Sequence, residues 1–489
     1  MAVNLKRPIL VGGVGLSFAL WLLQSWHHSV AELGEFSVMG AIAVIICLWL
    51  FRQYRFKDAA KQLELAPLDR ATVEKAIAQT EVVVSQLETE AENHAANPGL
   101  RERVAQLNAE IERQEIHLAV TGGKAVGKTT LIQVLETKWV PPIQSQLCWS
   151  ETPALFTETI NQEKTDIEAL TKAIASDLVL FVTNGDLTDS EFQTLQQLKA
   201  TNQRLILVLN KQDQYLADER ATVLHALQQK MQPLLKAEDV VAIAASPSPL
   251  KVRQHQADGF LQEWLEQRPP EITQLTQQLA DILLQEGQQL VWATTKRAAE
   301  NLKAEAKTVL NQVRRDRALP VVEQYQWIAA AAAFANPVPA LDLLATAAIN
   351  AQLVIELGGI YQQKFSLQQA QAVAGTMGNL MLKLGLVELS TKAIATVLKS
   401  NAVTFVAGGV VQGVSAAYLT RLAGVSLIEY FQQQEVDVNS ATGLNLDKLG
   451  QSLQKVFQQN QQVAFLQGFV KQGVGRLLPE TSQPEVSAS

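Results

Sequence analysis

Two charge-free apolar runs stand near the amino end of the chain. The first covers residues 8–31 with the core PILVGGVGLSFALWLLQSW, and the second is FSVMGAIAVIICLWLF at 36–51. The first is about long enough to cross a bilayer core as a helix, and the second is slightly short. Lys6 and Arg7 precede the pair, Arg52, Arg55 and Lys57 follow it, and Glu32 and Glu35 lie in the link. Basic outer flanks with an acidic turn predict a transmembrane hairpin over 1–57 with both ends on the cytoplasmic side. Ser29-Val30-Ala31 also resembles a leader cleavage site, but a second apolar run follows directly and favours the hairpin.

Farther along, the pattern changes period. Val73, Ile77, Val84 and Leu87, and then Leu100, Val104, Leu107 and Ile111, recur at heptad spacing around Asn97-Pro98-Gly99. Residues 58–115 thus read as a helical stalk or as a helix pair packed on a neighbouring domain. From 116 to 268 short apolar runs suited to buried strands (IHLAV, LVLFVT, RLILVL, VVAIAA) alternate with helical stretches. Such alternation predicts a mostly parallel sheet with helices on both faces. Pro269-Pro270 closes that region. Residues 269–318 then read as one long connecting helix of roughly 70 Å, broken near Gly287 and mechanically coupling what flanks it.

Residues 319–476 read as helix throughout, and 477–489 as a disordered tail. Asp342, Asn350 and Glu356 form a polar stripe there. The charge-free stretch 400–420, with Gly408, Gly409, Gly413, Ala416 and Ala417, suits close helix packing, in a bundle or in a membrane. Charges at Lys392, Lys399, Arg421 and Glu429 favour the bundle.

A length of 489 residues asks for several domains. A net charge of −7 without a long basic stripe argues against a nucleic-acid partner. Two cysteines far apart in sequence, Cys47 and Cys148, argue against a disulfide framework or a cysteine-based zinc site.

The candidate chemistry begins at TGGKAVGKTT, residues 121–130. Gly122, Gly127, Lys128 and Thr129 match G-x-x-x-x-G-K-[ST], with a strand before and a helix after. Backbone amides from Gly122, Gly123, Lys124, Ala125, Val126 and Gly127 would cradle phosphates, aided by the helix start at Lys128 to Thr130. Lys128 would reach the terminal phosphates and Thr129 would hold Mg2+. Asn210-Lys211-Gln212-Asp213 ends the strand RLILVL as N-K-x-D. An Asp213 carboxylate accepts what guanine N1–H and its amine donate, and adenine offers no such pair. Ala245-Ser246 follows the next strand, positioned for a backbone contact to the base. GTP or GDP with Mg2+ is therefore the expected ligand set.

On these motifs, 116 to about 265 resembles an Era-type GTPase domain of the translation-factor-related class. Residues 319–435, through NPVPALDLLATAAINAQLVIELGGIY and VAGGVVQGVSAAYLTRLAGVSLIEYF, resemble the YcjF-like helical domain of unknown function. A membrane-anchored version of this pairing occurs in photosynthetic bacteria. The resemblance implies an α/β P-loop GTPase domain and an all-α carboxyl-terminal bundle, added to the N-terminal hairpin. It also implies a D-x-x-G motif, which the chain lacks. The nearest match is ALFTETIN, with Glu158 in the acidic, metal-binding slot and Asn161 in the glycine slot. Thr152 is the positional candidate for the loop threonine that closes over Mg2+.

The expected function is a membrane-anchored slow GTPase that switches its helical domain, with the GTPase domain on the cytoplasmic side. Its expected partners are the lipid bilayer and either a second copy or a membrane protein. A scaffold that binds GTP without hydrolysing it is the alternative, and a nucleotide-gated pore the more distant one.

Overall fold

The structure, a computed structural model, describes residues 68–157, 162–255, 261–335, 339–399, 408–433, 445–460 and 463–477. They fall into two compact units. One holds 114–294 and the other holds 70–113 together with 295 onward.

In the first unit, β1 (Ile116–Gly122), β2 (Leu147–Glu151), β3 (Leu178–Thr183), β4 (Arg204–Leu209) and β5 (Val240–Ala242) make a five-stranded sheet. The order is β2-β1-β3-β4-β5 and every pairing is parallel. Parallel strands need crossovers, and these run through α1 (Lys128–Lys138), α2 (Gln162–Ile174), α3 (Asp189–Ala200) and α4 (Ala217–Met231). Alternate residues of each strand feed opposite faces. Leu118, Val120, Leu180, Val182, Ile206 and Val208 pack with Leu131 and Leu135 of α1. Val179, Phe181, Leu205, Leu207 and Leu209 pack with Ala169, Leu195, Leu198 and Leu227 on the other side. A separate antiparallel pair, β6 (Leu250–His255) and β7 (Leu261–Glu266), follows the sheet.

A single helix, α5 (Thr273–Ala335, 63 residues), continues through Gly287 and carries Pro320 in its interior. The break expected near Gly287 does not occur. Leu275, Leu279, Ile282, Leu283, Leu290 and Val291 step at helical spacing and lie in the core beneath the sheet, so packing on both sides of the glycine keeps the helix continuous.

The second unit is helical. Its first pair, α6 (Arg70–Glu90) and α7 (Asn97–Glu110), buries Val73, Ile77, Val84, Leu87, Leu100, Val104 and Leu107. Within this unit the Thr80 hydroxyl donates to the Ala299 carbonyl at 3.0 Å and Arg103 pairs with Glu305 at 2.6 Å. Glu90 meets Arg314 at 2.6 Å, and both side chains are at most 10% exposed. The rest of the unit is α8 (Pro339–Ile360), α9 (Leu367–Lys383), α10 (Leu386–Lys399), α11 (Gly408–Gln433), α12 (Leu446–Asn460) and α13 (Val463–Leu477). Val354, Leu357, Met377, Val414, Leu422, Ile428, Leu453 and Phe469 belong to one core. Ser366 caps α9 through a reciprocal box with Gln369.

No helix among the described residues is long and apolar enough to cross a membrane. That overturns the membrane placement expected from the sequence, multi-pass or hairpin-anchored with the GTPase domain facing the cytoplasm. The hairpin expected at 1–57 itself lies outside the described residues, as does the tail from 478. The apolar character of α11 has another cause. Val410, Val414, Ala417 and Leu422 fill the bundle core, and a Cβ on Gly413 would stand 2.9 Å from the Ala330 carbonyl of α5. A buried bundle helix in close contact needs the same small and apolar residues as a membrane helix.

The buried Glu90–Arg314 pair gives a stability test. Arg314→Ala leaves the Glu90 carboxylate with the Gln362 amide at 2.8 Å and the more exposed Arg317 at 3.8 Å, and should cost about 1.5–3 kcal/mol in urea unfolding. Combining Arg314→Met with Glu90→Leu should recover most of that loss.

Candidate nucleotide site

The site stands at the carboxyl ends of β1, β2, β4 and β5, where ligands bind in open parallel sheets. Strand β1 runs into the loop 121–127, and α1 starts at Lys128 with Gly127 as its N-cap and no side-chain cap. The first-turn amides are thus left for an anion. Gly122 and Gly127 take φ of 144° and 95°, and Ala125 takes 61°. At Gly127 the requirement is doubled, because an added Cβ would lie 2.3 Å from Asn210 Nδ2.

Lys128 is 6% exposed and folds back over its own loop. Its ammonium donates to the carbonyls of Gly122 at 3.0 Å and Gly123 at 2.8 Å. Burial pushes its pKa below the ordinary lysine range, and the nearby Glu151 carboxylate opposes this. Val126 is buried; Lys124, Ala125 and Thr129 are exposed; Gly123 and Thr130 are half-buried.

The N-K-x-D residues are tied to this loop. Asn210 Nδ2 donates to the Val126 carbonyl at 2.9 Å. Its Oδ1 accepts from the amides of Lys211 at 2.8 Å and Ala245 at 3.0 Å. Lys211, at φ 61°, donates from Nζ to the Ala125 carbonyl at 2.8 Å. Asp213 accepts the Ser248 amide on Oδ2 at 2.9 Å, whereas its Oδ1 is buried with no partner. Ala245 is buried and Ser246 exposed. The structure therefore brings Gly122 to Thr130, Asn210, Lys211, Asp213 and Ala245 to one end of the sheet, over a sequence separation of more than a hundred residues.

A carboxylate other than the expected one meets Thr129 among the described residues. Glu158 and Asn161 fall outside the described residues. The carboxylate that reaches Thr129 is Glu151, whose two oxygens accept the Thr129 hydroxyl at 2.8 and 3.0 Å. Glu151 is the last residue of β2, paired beside Val120. The chain then continues along the loop, with the Thr152 amide on the Val120 carbonyl and the Leu155 amide on the Gly122 carbonyl, both at 3.1 Å. Glu151-Thr152-Pro153-Ala154 thus follows the strand next to β1, with glutamate and alanine in place of the aspartate and glycine of D-x-x-G.

The readable signal was that tetrapeptide directly after the run LCWS. Ser150 and Glu151 make this edge strand look half polar, which hid it. Thr152, the positional candidate for the loop threonine, is 2% exposed and donates to the Thr121 hydroxyl at 2.8 Å, so it ties the strand ends together. The connection from α1 to β2, residues 139–146, contains Ser145 as its one hydroxyl side chain. At the opposite, amino end of the strands, β1–β2 pairing sets Glu115, His117 and Cys148 with ligand atoms within 4.8 Å of one another.

Residues 297–462 match a family model described as a domain of unknown function, DUF697. That match covers the larger part of the helical unit. No curated protein matches the chain significantly. Among solved structures, the chain is similar to the LeoA bacterial dynamin GTPase from ETEC. Identity is 14% over 87% of this chain and 69% of that one, at a TM-score of 0.23. Two structures of an oligomerised bacterial dynamin pair, described as providing a mechanism for long-range sensing and tethering of membranes, are similar at 11% and 12% identity. They cover 83% and 85% of this chain and 74% and 81% of theirs, at TM-scores of 0.25 and 0.23. At such scores the overlays define no common architecture for the whole chain.

Gly127→Ala should break the Asn210 bridge. The expected result is a loss of about 1–3 kcal/mol and faster hydrogen exchange at the Ala245 amide, read by mass spectrometry, with the sheet core still protected.

Proposed function

We propose that the chain is a guanine-nucleotide-binding P-loop protein that hydrolyses GTP slowly. The observation that carries this reading is the Asn210 bridge. One carboxamide joins the phosphate loop to the β5 end, and beside it Asp213 keeps a buried carboxylate oxygen unpaired. A buried acceptor without a partner is costly, and a base that donates from N1 and its amine removes the cost. Guanine does so and adenine does not.

Thr129 and Glu151 are oxygen donors of the kind a hard divalent cation takes, so Mg2+ fits them. Bound there, the metal would neutralise charge on the β- and γ-phosphates. Lys128, now satisfied by its own loop, would exchange two carbonyls for phosphate oxygens. Among the described residues, the position directly after the Glu151–Ala154 segment carries no polar group able to orient the attacking water. Leu155, which follows Ala154, is apolar and 3% exposed. This supports slow unaided turnover. A scaffold that binds GTP without cutting it differs in that rate alone, and the intact Thr129–Glu151 contact favours turnover.

The nucleotide state is proposed to act on the helical unit through α5. That helix contributes Leu275 to Val291 to the core under the sheet and Ala318 and Val322 to the helical core. Self-association belongs to the same proposal and is read by sedimentation in GDP against a non-hydrolysable GTP analogue.

Two measurements on the full chain test the reading. In calorimetry GTP should bind well ahead of ATP. Asp213→Asn should weaken GTP by about 2–3 kcal/mol and admit xanthosine triphosphate, whose C2 carbonyl accepts from an amide; equal binding of ATP and GTP would sink the base assignment. In single-turnover assays Glu151→Gln should slow Mg2+-dependent hydrolysis by roughly 10–100-fold, with GDP affinity nearly unchanged.

A further inference from the structure

The helical unit holds a cavity of about 430 Å3 between α8, α9, α10 and α11. Most of its wall is apolar, with Leu353, Met377, Met381 and Leu419 in it, and among the described residues no charged side chain lines it. Its size is in the range that buries a small organic ligand.

Three polar atoms in the wall have no partner: Asn350 Oδ1, Ser415 Oγ and Thr420 Oγ1. Ser415 is 7% and Thr420 1% exposed. A buried hydroxyl in a helix ordinarily donates to the carbonyl four residues back. Ser426 on the same helix does so to Leu422 at 2.6 Å, and Thr391, also in the cavity wall, does so to Val387 at 2.8 Å. Ser415 and Thr420 forgo that bond. Buried polar groups without partners are rare and cost stability in an empty protein.

We propose that this cavity binds an uncharged amphiphile, a hydrocarbon chain ending in a hydroxyl or amide. The apolar wall takes the chain. The polar end must both donate, to Asn350 Oδ1, and accept, from the two hydroxyls. A hydroxyl or amide does both. A carboxylate only accepts, and entering a wall without a cation leaves its charge desolvated. Water alone fits poorly, because most of the wall offers it no hydrogen bond.

The test uses the full chain loaded with Nile red and titrated with 1-dodecanol, dodecanoate and dodecane. Dodecanol should displace the dye at one equivalent, with dodecanoate at least ~10-fold weaker. Ser415→Ala with Thr420→Val should weaken dodecanol about tenfold, leave dodecane unchanged and raise the melting temperature of the ligand-free chain. Ala416→Phe should fill the cavity and abolish displacement. Gly378→Leu is the second filling variant; its Cβ would meet nothing within 4 Å, so the helix tolerates it. No displacement by dodecanol would overturn the proposal. So would wild-type binding by a folded filling variant, or by the double polar variant.

Discussion

The candidate nucleotide site depends on one carboxamide. Asn210 spends its donor on the phosphate loop and its acceptor on two backbone amides, one of them beyond β5. Both segments are irregular backbone with residues at positive φ, Ala125 and Gly127 in one and Lys211 in the other. Neither would hold that shape alone, since left-handed backbone costs energy for ordinary residues. Joined through Asn210 and the Lys211–Ala125 contact, they stiffen each other. The glycine at 127 follows from the same contact, because any side chain there would strike the amide.

Around that joint the electrostatics divide the labour. Lys128 is held by carbonyls and kept uncomfortable by burial, so a phosphate is a better partner than the one it has. Thr129 and Glu151 form the acidic, oxygen-rich side of the pocket. Asp213 supplies the unpaired acceptor at the base end. The sheet places these groups; side-chain identity decides which ligand atoms satisfy them. The helical unit obeys a different constraint. Small residues on α11 let it approach α5 closely, and elsewhere on the same helix Ser415 and Thr420 line a cavity with hydroxyls that have no partner.

Much of the first unit was legible from local pattern. IHLAV, LVLFVT and RLILVL became the central strands β1, β3 and β4, because fully buried parallel strands need unbroken apolar runs, and VVAIAA opens with the short edge strand β5. The loop at 122–130 and the tetrapeptide at 210–213 were legible because their chemistry requires particular residues at fixed spacing. Strand β2 was not. An edge strand buries little on its outer side, so Leu147–Glu151 carries no clear apolar signature, and the contact of Glu151 with Thr129 was not foreseen. The membrane placement rested on the runs at 8–31 and 36–51, outside the described residues, and no described helix is long and apolar enough to supply a span. Composition reports that a helix is buried, and does not report whether protein or lipid buries it.

By itself, then, the sequence determined the class of the two units and marked the glycine-rich loop and the N-K-x-D tetrapeptide as candidates, since each rests on residues close together in the chain. Only the tertiary structure decided that Glu151 meets Thr129, that Asn210 ties two loops, that Thr152 is locked inside, and that Ser415 and Thr420 face a cavity. These are contacts between segments far apart in sequence, and their partners exist only once sheet order and helix packing have been chosen.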